Sequence, residues 1–418
     1  MRQHIAFVSI PSIGHVYPTL AVVAELVRRG HRVSYASVRS RAPVIEAAGA
    51  RLVPYESRLA ADSDRDLVLP DRADFLGRIW LTFLDEAETV LPQLEAAYAT
   101  DPPDLVVYDA MAFAGRVLAA GRRLPSVQLR TGLLSNEHWS LAALAGFDPA
   151  HPAYLAYLAR LDALLTRHGV PMSPEEFRNP PGQRQIVFLP RAFQYRGDSF
   201  DRRFSFVGPC IRPDPDPSRW RRPPGRPVLL ATLGTVYNRH PAFYRACFAA
   251  FAGSPWHVVL AVGERTDPAE LGPAPDNVEV HRVVPQLAVL AQASAFLSHA
   301  GMGGLMEAIR AGVPQVAVPQ TLEQEANAQR LVELGLGVRL GAAGLTPAGV
   351  RAAVDRVADD PIVVGRIAAM RQEIFTAGGA PRAADVVEAS LRGRFRPPRQ
   401  RVAAERLTPP GPAETLLR

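Results

Sequence analysis

One segment of the chain combines a histidine, closely spaced glycines and a glutamate in a pattern that suits an anionic ligand. It reads SHAGMGGLME, follows a predicted strand and opens a predicted helix. Glycines let a backbone approach a ligand closely, and a helix start offers free amide N–H groups at the positive end of its dipole. The segment therefore predicts a diphosphate site, in which His299 donates a further hydrogen bond and Glu307 accepts from ribose hydroxyls. A tight glycine-rich turn without a ligand is the alternative.

A second histidine that could do chemistry is His15. It lies in the loop IPSIGHVYP, which joins the first predicted strand to a helix predicted to start at Pro18. Histidine can take a proton from a hydroxyl near neutral pH, as a general base must. His15 is therefore a candidate base, and a histidine that only bonds the backbone at a helix start is the alternative.

A histidine base also needs a carboxylate that holds its tautomer and stabilises its charge. Asp109 ends a predicted strand over 104–108, at the same edge of the predicted sheet as the loop of His15. The alternative for Asp109 is the N-cap of a helix over 112–122. Spacing along the sequence does not by itself pair the two residues.

Short apolar runs alternate with helical patterns along most of the chain. The predicted strands of the first half cover 5–10, 31–37, 104–108 and 126–129, and those of the second half cover 228–232, 257–262, 278–281, 295–298 and 315–318. The predicted helices include 18–29, 75–94, 241–251, 303–311, 323–334, 359–376 and 381–391. This alternation predicts α/β structure with parallel sheets covered by helices on both faces.

A proline- and arginine-rich stretch over 209–227 separates the two halves and is typical of an interdomain linker. We therefore predict an N-terminal domain over residues 1–214, a C-terminal domain over 215–393 and a basic, proline-rich tail over 394–418. Ligands of open parallel sheets bind outside the carboxyl ends of the strands. Two such domains facing each other predict a cleft that both histidine loops enter.

Composition excludes several other classes of protein. The formal charge is +6 and all 47 basic residues are arginine, but part of the excess lies near the C-terminus, so we expect no nucleic-acid partner. The two cysteines, Cys210 and Cys247, show neither a metal-binding spacing nor a disulfide framework. The chain lacks a signal-peptide pattern and an apolar run of roughly 20 residues, so we expect a cytoplasmic protein without a membrane span. A monomer or homodimer is expected.

The donor half of the sequence resembles a known signature. The motifs VPQ, HAGMGGLMEA, GVP, VPQ and EQ, spread over about 40 residues from Val284 to Gln324, resemble the donor signature of nucleotide-sugar glycosyltransferases. Stretches such as RGHRVSYA, LPQLEAAYA, DLVVYD and FLSHAGMGG make the chain look like the macrolide glycosyltransferases of the oleandomycin type, from about residue 4 to residue 391. The resemblance implies the GT-B fold, which has two facing Rossmann-like domains, with the final helix packing back on the N-terminal domain.

The resemblance also implies roles for individual residues. The implied diphosphate ligands are Gly234, Thr235, His299, Gly303 and Gly304, and Gly301 is a further implied donor-binding residue. Pro285 and Gln286 match the pair that faces base and ribose, Glu307 matches the ribose ligand, and Glu323 and Gln324 match the pair that reads the sugar hydroxyls. Val283 stands where the family often has a tryptophan that stacks on uracil, which leaves UDP and dTDP both open.

On the acceptor side, the resemblance implies that His15 is the base and Asp109 its partner, in an inverting transfer without metal or cofactor. Apolar residues of the N-terminal half are candidates for an acceptor pocket, because small-molecule pockets are mostly apolar. They are Ile13, Phe75, Ile79, Phe83, Phe113, Leu134 and Trp139.

We therefore expect transfer of glucose from UDP-glucose to a hydroxyl of a macrolide or similar lipophilic natural product, in antibiotic inactivation. A dTDP-deoxysugar transferase of antibiotic biosynthesis is the alternative within this class. A nucleotide-sugar epimerase and a non-catalytic accessory protein on the same fold are the alternatives from other classes.

Overall fold

The structure is a computed structural model that describes residues 2–61, 72–212 and 217–392. Three predictions fall outside this part of the chain: the domain boundary between residues 214 and 215, the tail over 394–418, and the side chain of Phe75. Phe75 itself lies within a described helix.

Two wholly parallel sheets form the framework. The first has seven strands in the order β3-β2-β1-β4-β5-β6-β7 and the second six in the order β10-β9-β8-β11-β12-β13. The strands of the first sheet are β1 His4–Val8, β2 Arg32–Ser37, β3 Arg51–Pro54, β4 Leu105–Asp109, β5 Ser126–Arg130, β6 Arg184–Val187 and β7 Phe204–Phe206. Those of the second are β8 Val228–Thr232, β9 His257–Ala261, β10 Val278–His281, β11 Ala295–Ser298, β12 Gln315–Ala317 and β13 Gly337–Arg339.

Helices cover both faces of each sheet. Those of the N-terminal half are α1 Ile13–Arg28, α2 Ala42–Glu46, α3 Arg58–Ala61, α4 Arg72–Ala97, α5 Phe113–Gly121, α6 Leu141–Leu144, α7 Pro152–Arg167 and α8 Pro174–Arg178. Those of the C-terminal half are α9 Pro241–Phe251, α10 Gln286–Leu290, α11 Met302–Ala311, α12 Leu322–Glu333, α13 Pro347–Ala358, α14 Pro361–Thr376 and α15 Gly379–Arg392.

The central strands formed where the sequence predicts them because they are buried on both faces. Every residue of β1, β4 and β8 is buried, so each strand is mostly apolar, with one polar residue at one end, as is typical of a parallel sheet. The strands β3, β6, β7 and β13 were not predicted. Each has only three or four residues, with charged or small side chains among them, and it is defined by hydrogen bonds to a neighbouring strand.

Helix α1 begins at Ile13, and the prediction that it starts at Pro18 is wrong. The amides of His15 and Val16 both donate to the carbonyl of Ser12, at 3.0 Å each, so the first turn closes before the proline is reached. Pro18 then removes one further amide donor without preventing the helix. As a result, His15 projects from the first turn of a helix instead of from a loop.

The two halves of the chain share buried apolar surface. One cluster joins Leu134, Leu189 and Phe193 of the N-terminal half to Met302 and Leu331 of the C-terminal half. The last helix, α15, packs against α1 and the first sheet, and Arg29 Nη1 donates to Asp385 at 2.8 Å and to Glu388 at 3.0 Å. Gly132 follows β5, Glu323 follows β12, and the two lie against each other, so carboxyl ends of strands from both sheets border one cleft.

Candidate active site

The register of the first sheet brings His15 and Asp109 together. Strands β1 and β4 are parallel neighbours with Val8 opposite Tyr108, so the segments that follow them leave the sheet side by side. His15 Nδ1 lies 2.8 Å from Asp109 Oδ2, across 94 positions of sequence. The other carboxylate oxygen accepts from the amide of Met111 at 2.8 Å. Helix α5 has Ala112 as its N-cap, so Asp109 is not the cap that the alternative proposed.

The electrostatics of this pair fit a base held in one orientation. Burial of His15 disfavours its charged form, but the charge of Asp109 and the hydrogen bond to it outweigh burial and raise the pKa of His15. A proton on Nδ1 that is donated to Asp109 leaves Nε2 as the acceptor of the neutral ring. Asp109 is only 1% exposed, whereas the His15 side chain keeps 18% of its surface accessible. The imidazole can therefore meet a substrate hydroxyl while its carboxylate partner stays dry.

Two adjacent strands of the second sheet bring His299 against a glycine. Strands β8 and β11 are parallel with Thr232 opposite Ser298, so Gly234 and His299 follow them at the same edge. Gly234 has φ +80°, and a Cβ atom built there would lie 2.4 Å from His299 Cε1. A Cβ on Gly301 would lie 2.4 Å from Nε2 of the same ring. Both glycines are thus required by the position of the imidazole.

The His299 imidazole is neutral and retains an unused polar atom. Burial lowers the pKa of His299 to about 4, with a backbone hydrogen bond to Thr232 opposing the shift. Among the residues that the structure describes, Nδ1 has no hydrogen-bond partner. A buried polar atom without a partner is costly and is commonly completed by a ligand. A neutral ring has a single N–H, and in the tautomer that carries this proton on Nδ1 it can donate to a phosphate oxygen.

The start of helix α11 presents amide groups beside this histidine. Gly301 is the N-cap, and the first helical bond runs from the amide of Leu305 to its carbonyl, so the amides of Met302, Gly303 and Gly304 precede the helical ladder. Ala300 holds a left-handed backbone with φ +61°, which is uncommon for a residue with a side chain. The side-chain amide of Asn327 stabilises this turn, since its Nδ2 donates to the Ala300 carbonyl at 3.0 Å. Helix starts of this kind bind anions.

Glu307, which belongs to helix α11, is hydrogen-bonded to Gln286. Gln286 Nε2 donates to Glu307 Oε2 at 2.6 Å. Burial raises the pKa of the Glu307 carboxyl, and the hydrogen bond from Gln286 opposes that rise. Pro285 is the N-cap of α10, and Val283 lies just before it with 69% of its surface exposed. An open apolar side chain followed by a polar pair suits a nucleobase next to a ribose.

Glu323 and Gln324 occupy the first turn of α12, capped by Thr321. Gln324 Oε1 accepts from the amide of Gln320 at 2.8 Å, which leaves its amide nitrogen as a donor. Glu323 Oε1 reaches across the cleft and lies 3.5 Å from where a Cβ of Gly132 would be. The charge of Glu323 also contributes to the raised pKa of His15, after the larger effects of burial and Asp109. Helices α1 and α11 are in contact, which brings the candidate base near the candidate anion site.

The candidate acceptor residues divide into two groups. Phe83, Phe113 and Leu134 are at most 7% exposed and belong to packed apolar clusters. Ile13, Ile79 and Trp139 keep accessible surface, and the Trp139 ring stacks on Tyr195 with centroids 4.7 Å apart. Only the second group can touch an acceptor without rearrangement of the core.

Three residues of the site were not predicted from the sequence: Thr131, Gly132 and Asn327. Thr131 Oγ1 lies 3.4 Å from His15 Nδ1, and Gly132 faces Glu323. Both follow β5, the parallel neighbour of β4, with Leu129 opposite Asp109. Their place directly after a predicted strand was a signal that could have found them. Asn327 acts through the backbone of Ala300, which no sequence pattern reveals.

Among the helices that the structure describes, none has both the length and the apolar character needed to span a lipid bilayer. Within the same ranges, no three histidine, cysteine, aspartate or glutamate side chains come together as a metal-binding group.

Known proteins are similar to this chain over nearly its whole length. Residues 254–392 match the family model described as "Erythromycin biosynthesis protein CIII-like, C-terminal domain". NDP-glycosyltransferase YjiC of Bacillus licheniformis is 40% identical over 393 residues, which cover 93% of this chain and 98% of the relative. The oleandomycin glycosyltransferase of Streptomyces antibioticus is 40% identical over 402 residues, which cover 94% and 91%. The crystal structure of CalG4, the calicheamicin glycosyltransferase, is 42% identical with a TM-score of 0.83, covering 93% and 98%.

Two facing Rossmann-like domains and these relationships define a glycosyltransferase with the GT-B fold. The chain belongs to the family of natural-product glycosyltransferases that includes the oleandomycin and calicheamicin enzymes. The predicted fold class and the family resemblance are thereby confirmed.

Proposed function

We propose that this enzyme transfers glucose from UDP-glucose to a hydroxyl of a macrolide or similar lipophilic natural product, inverting the anomeric centre without a metal ion. The observation that carries the proposal is the His15–Asp109 pair, 2.8 Å apart, which faces the start of α11 across one cleft. A base and an anion site on opposite sides of a cleft suit a direct displacement at the carbon between them.

The reaction follows from the positions of these groups. Nε2 of His15 takes the proton of the acceptor hydroxyl, and the acceptor oxygen attacks the anomeric carbon from the face opposite the diphosphate. The bond between that carbon and the diphosphate oxygen breaks, and its electron pair leaves with the nucleotide. The amides at the start of α11 and the neutral His299 stabilise the charge that grows on the diphosphate. Asp109 stabilises the imidazolium that forms.

The choice of nucleotide depends on the surface beside Val283. This side chain is exposed and can contact either pyrimidine by its apolar face, but it lacks the ring that would stack on uracil. UDP-glucose is proposed as the donor because the relatives of the chain include YdhE of Bacillus subtilis, which is named as an uncharacterized UDP-glucosyltransferase and is 28% identical over 382 residues. A dTDP-sugar is the second candidate, because Val283 does not distinguish the two bases.

The test is a mass-spectrometric screen that pairs UDP-glucose and dTDP-glucose with macrolides and with flavonoids. The expected product is a macrolide that carries one added hexosyl group, formed faster with UDP-glucose, whose linkage by NMR shows inverted anomeric configuration. Preference for dTDP-glucose would overturn the donor assignment. Conversion of a nucleotide sugar without any acceptor would point to epimerisation instead, and binding of UDP without transfer to any acceptor would point to an accessory protein.

A role in antibiotic inactivation can be tested separately. Expression of the enzyme in a macrolide-sensitive bacterium should raise the macrolide concentration that inhibits growth, because an added sugar blocks the hydroxyl that was free in the drug. The His15→Ala variant, expressed at the same level, serves as the control. Equal sensitivity of the two strains would overturn this role but not the transferase activity.

A further inference from the structure

The acceptor-side loop that carries Trp139 is tied to a neighbouring segment, residues 192–199. Gln194 is buried, and its side chain bonds both backbone groups of Leu134, donating to the carbonyl and accepting from the amide at 2.8 Å each. Asn136 Nδ2 donates to the carbonyl of Tyr195 at 3.1 Å. The Trp139 and Tyr195 rings stack with planes only 14° apart. The conformation of the Trp139 loop therefore depends on where segment 192–199 lies.

That segment is in turn held by Arg330, which belongs to helix α12 of the donor domain. Arg330 Nε donates to the carbonyl of Phe193 at 2.8 Å, and Nη2 lies 3.1 Å from the carbonyl of Ala192 and 3.3 Å from that of Gln194. Three successive carbonyls thus converge on one planar guanidinium, which has the fork of donors that such a cluster requires.

Tyr195 contacts the same helix through its ring. The guanidinium carbon of Arg330 lies 4.8 Å from the centroid of the Tyr195 ring, within the range of a cation–π contact. Burial raises the pKa of Tyr195 to about 12, and the charge of Glu333 adds to the rise. The hydroxyl therefore stays protonated beside the Glu333 carboxylate, which is also on α12.

Helix α12 has a second function at its other end. Its first turn carries Glu323 and Gln324, the candidate readers of the donor sugar, and Arg330 lies further along the same rigid element. The helix also packs against α6, which continues the acceptor loop. One helix thus contacts the donor subsite and, through segment 192–199, the loop of Trp139.

We propose that Arg330 and Tyr195 are positioning residues that set the acceptor loop, residues 134–144, by docking it on donor-domain helix α12. The inference rests on the proposed function in that it takes this loop to bind the acceptor. Acceptor affinity then depends on how firmly α12 holds segment 192–199, and with it the loop of Trp139.

The test compares Arg330→Ala and Arg330→Lys with the parent enzyme in steady-state kinetics and in amide hydrogen exchange. Arg330→Ala should raise the acceptor KM roughly tenfold or more, because three carbonyls lose a charged donor, and should leave the KM for the nucleotide sugar within about twofold. Lysine keeps the charge but not the fork, so Arg330→Lys should give an intermediate acceptor KM. In the alanine variant, exchange should quicken over residues 134–144 and 192–199.

Arg351 provides a matched control on helix α13. Arg330 Nη1 lies 3.3 Å from Glu333 of its own helix, and Arg351 likewise pairs with Asp355 of its own helix at 2.6 Å. Arg351 also lies over an aromatic ring, Phe251 at 5.7 Å, but it is remote from the cleft. Arg351→Ala should change neither KM nor exchange of the acceptor loop.

Substitutions at Tyr195 test the same link without touching Arg330. Tyr195→Phe keeps the stack and should keep the acceptor KM within about twofold to threefold, whereas Tyr195→Ala should reproduce the effect of Arg330→Ala. Equal rises in both KM values, or unchanged exchange over 134–144 in the two alanine variants, would overturn the proposal. Hydrogen exchange needs no turnover, so this outcome is distinct from failure of the parent enzyme to transfer a sugar, which would overturn the proposed function.

Discussion

At the scale of single residues, the site depends on how the surroundings of two imidazoles shift their pKa values. His15 lies against a buried carboxylate that raises its pKa, whereas His299 lies among apolar groups and glycines that lower its pKa to about 4. The first ring is suited to accept and stabilise a proton, and the second to remain a neutral donor. The same residue type thus serves two roles because burial and a neighbouring charge act in opposite directions.

Replacement of His15 by alanine should lower turnover by roughly 10²–10⁴, the usual contribution of a general base, and should leave the affinity for UDP nearly unchanged. Single-turnover kinetics and calorimetry measure the two quantities. His168→Ala is a matched control, because His168 is likewise paired with a carboxylate: its Nδ1 lies 3.0 Å from Glu95. The side chains of His168 and His15 are both 18% exposed. Unchanged turnover in His15→Ala would remove this residue from the mechanism.

Replacement of Asp109 by asparagine should change the pH profile in a defined direction. The base acts in its neutral form, so a raised pKa places the acid limb of kcat/KM above the ordinary histidine value of 6.5. Loss of the carboxylate should move that limb to lower pH and also reduce the pH-independent rate, because the imidazolium loses its partner. A limb that stays in place would show that another group controls it.

Replacement of His299 by alanine should weaken donor binding more than acceptor binding, because its unpartnered Nδ1 lies at the anion site. The dissociation constant for UDP, measured by calorimetry, should rise by roughly tenfold, the loss of one hydrogen bond to a charged group. An equal loss of acceptor affinity would contradict this assignment.

At the scale of elements, the donor cradle is built from two strand ends and a helix start. Gly234 is needed there for two separate reasons: its backbone is left-handed and the His299 ring occupies the space of a Cβ. The start of helix α1 positions the candidate base in a similar way. Its first turn closes at Ser12, and His15 in that turn lies against Asp109.

Gly234→Ala should both destabilise the fold and weaken donor binding. The left-handed backbone alone costs about 1–2 kcal/mol with a Cβ, which thermal unfolding can detect. Gly253 has φ +66° and open space around its Cβ position, so Gly253→Ala should show the backbone cost without loss of UDP affinity. Equal UDP affinity in both variants would mean that His299 can shift without consequence.

At the scale of the whole molecule, the reaction requires two domains to hold groups on opposite sides of one cleft. Glu323 reaches Gly132, and Arg330 binds the carbonyls of residues 192–194, so contacts between the domains occur at both ends of α12. In the proposed reaction, a helix start and a histidine stabilise the charge that leaves with the nucleotide.

EDTA should therefore have little effect on turnover, and added magnesium should not stimulate it. The assay compares initial rates after treatment with chelator and after dialysis with and without metal. Strong inhibition that magnesium or manganese reverses would overturn the proposal of a metal-independent transfer.

The sequence by itself determined the central strands, most of the long helices and the donor segment. These features are local: buried strands are continuous apolar runs, and the residues from Val283 to Gln324 follow one another along the chain. The family resemblance supplied the pairing of His15 with Asp109, which spacing alone could not.

Only the tertiary structure decided which distant groups meet. The 2.8 Å contact between His15 and Asp109 depends on the register of β1 and β4, and the place of His299 depends on a glycine after another strand. It also separated Phe83 and Phe113, which belong to the core, from Trp139, which keeps accessible surface and stacks on Tyr195. Apolar side chains look alike in sequence, and packing between elements far apart in the chain decides which of them are covered.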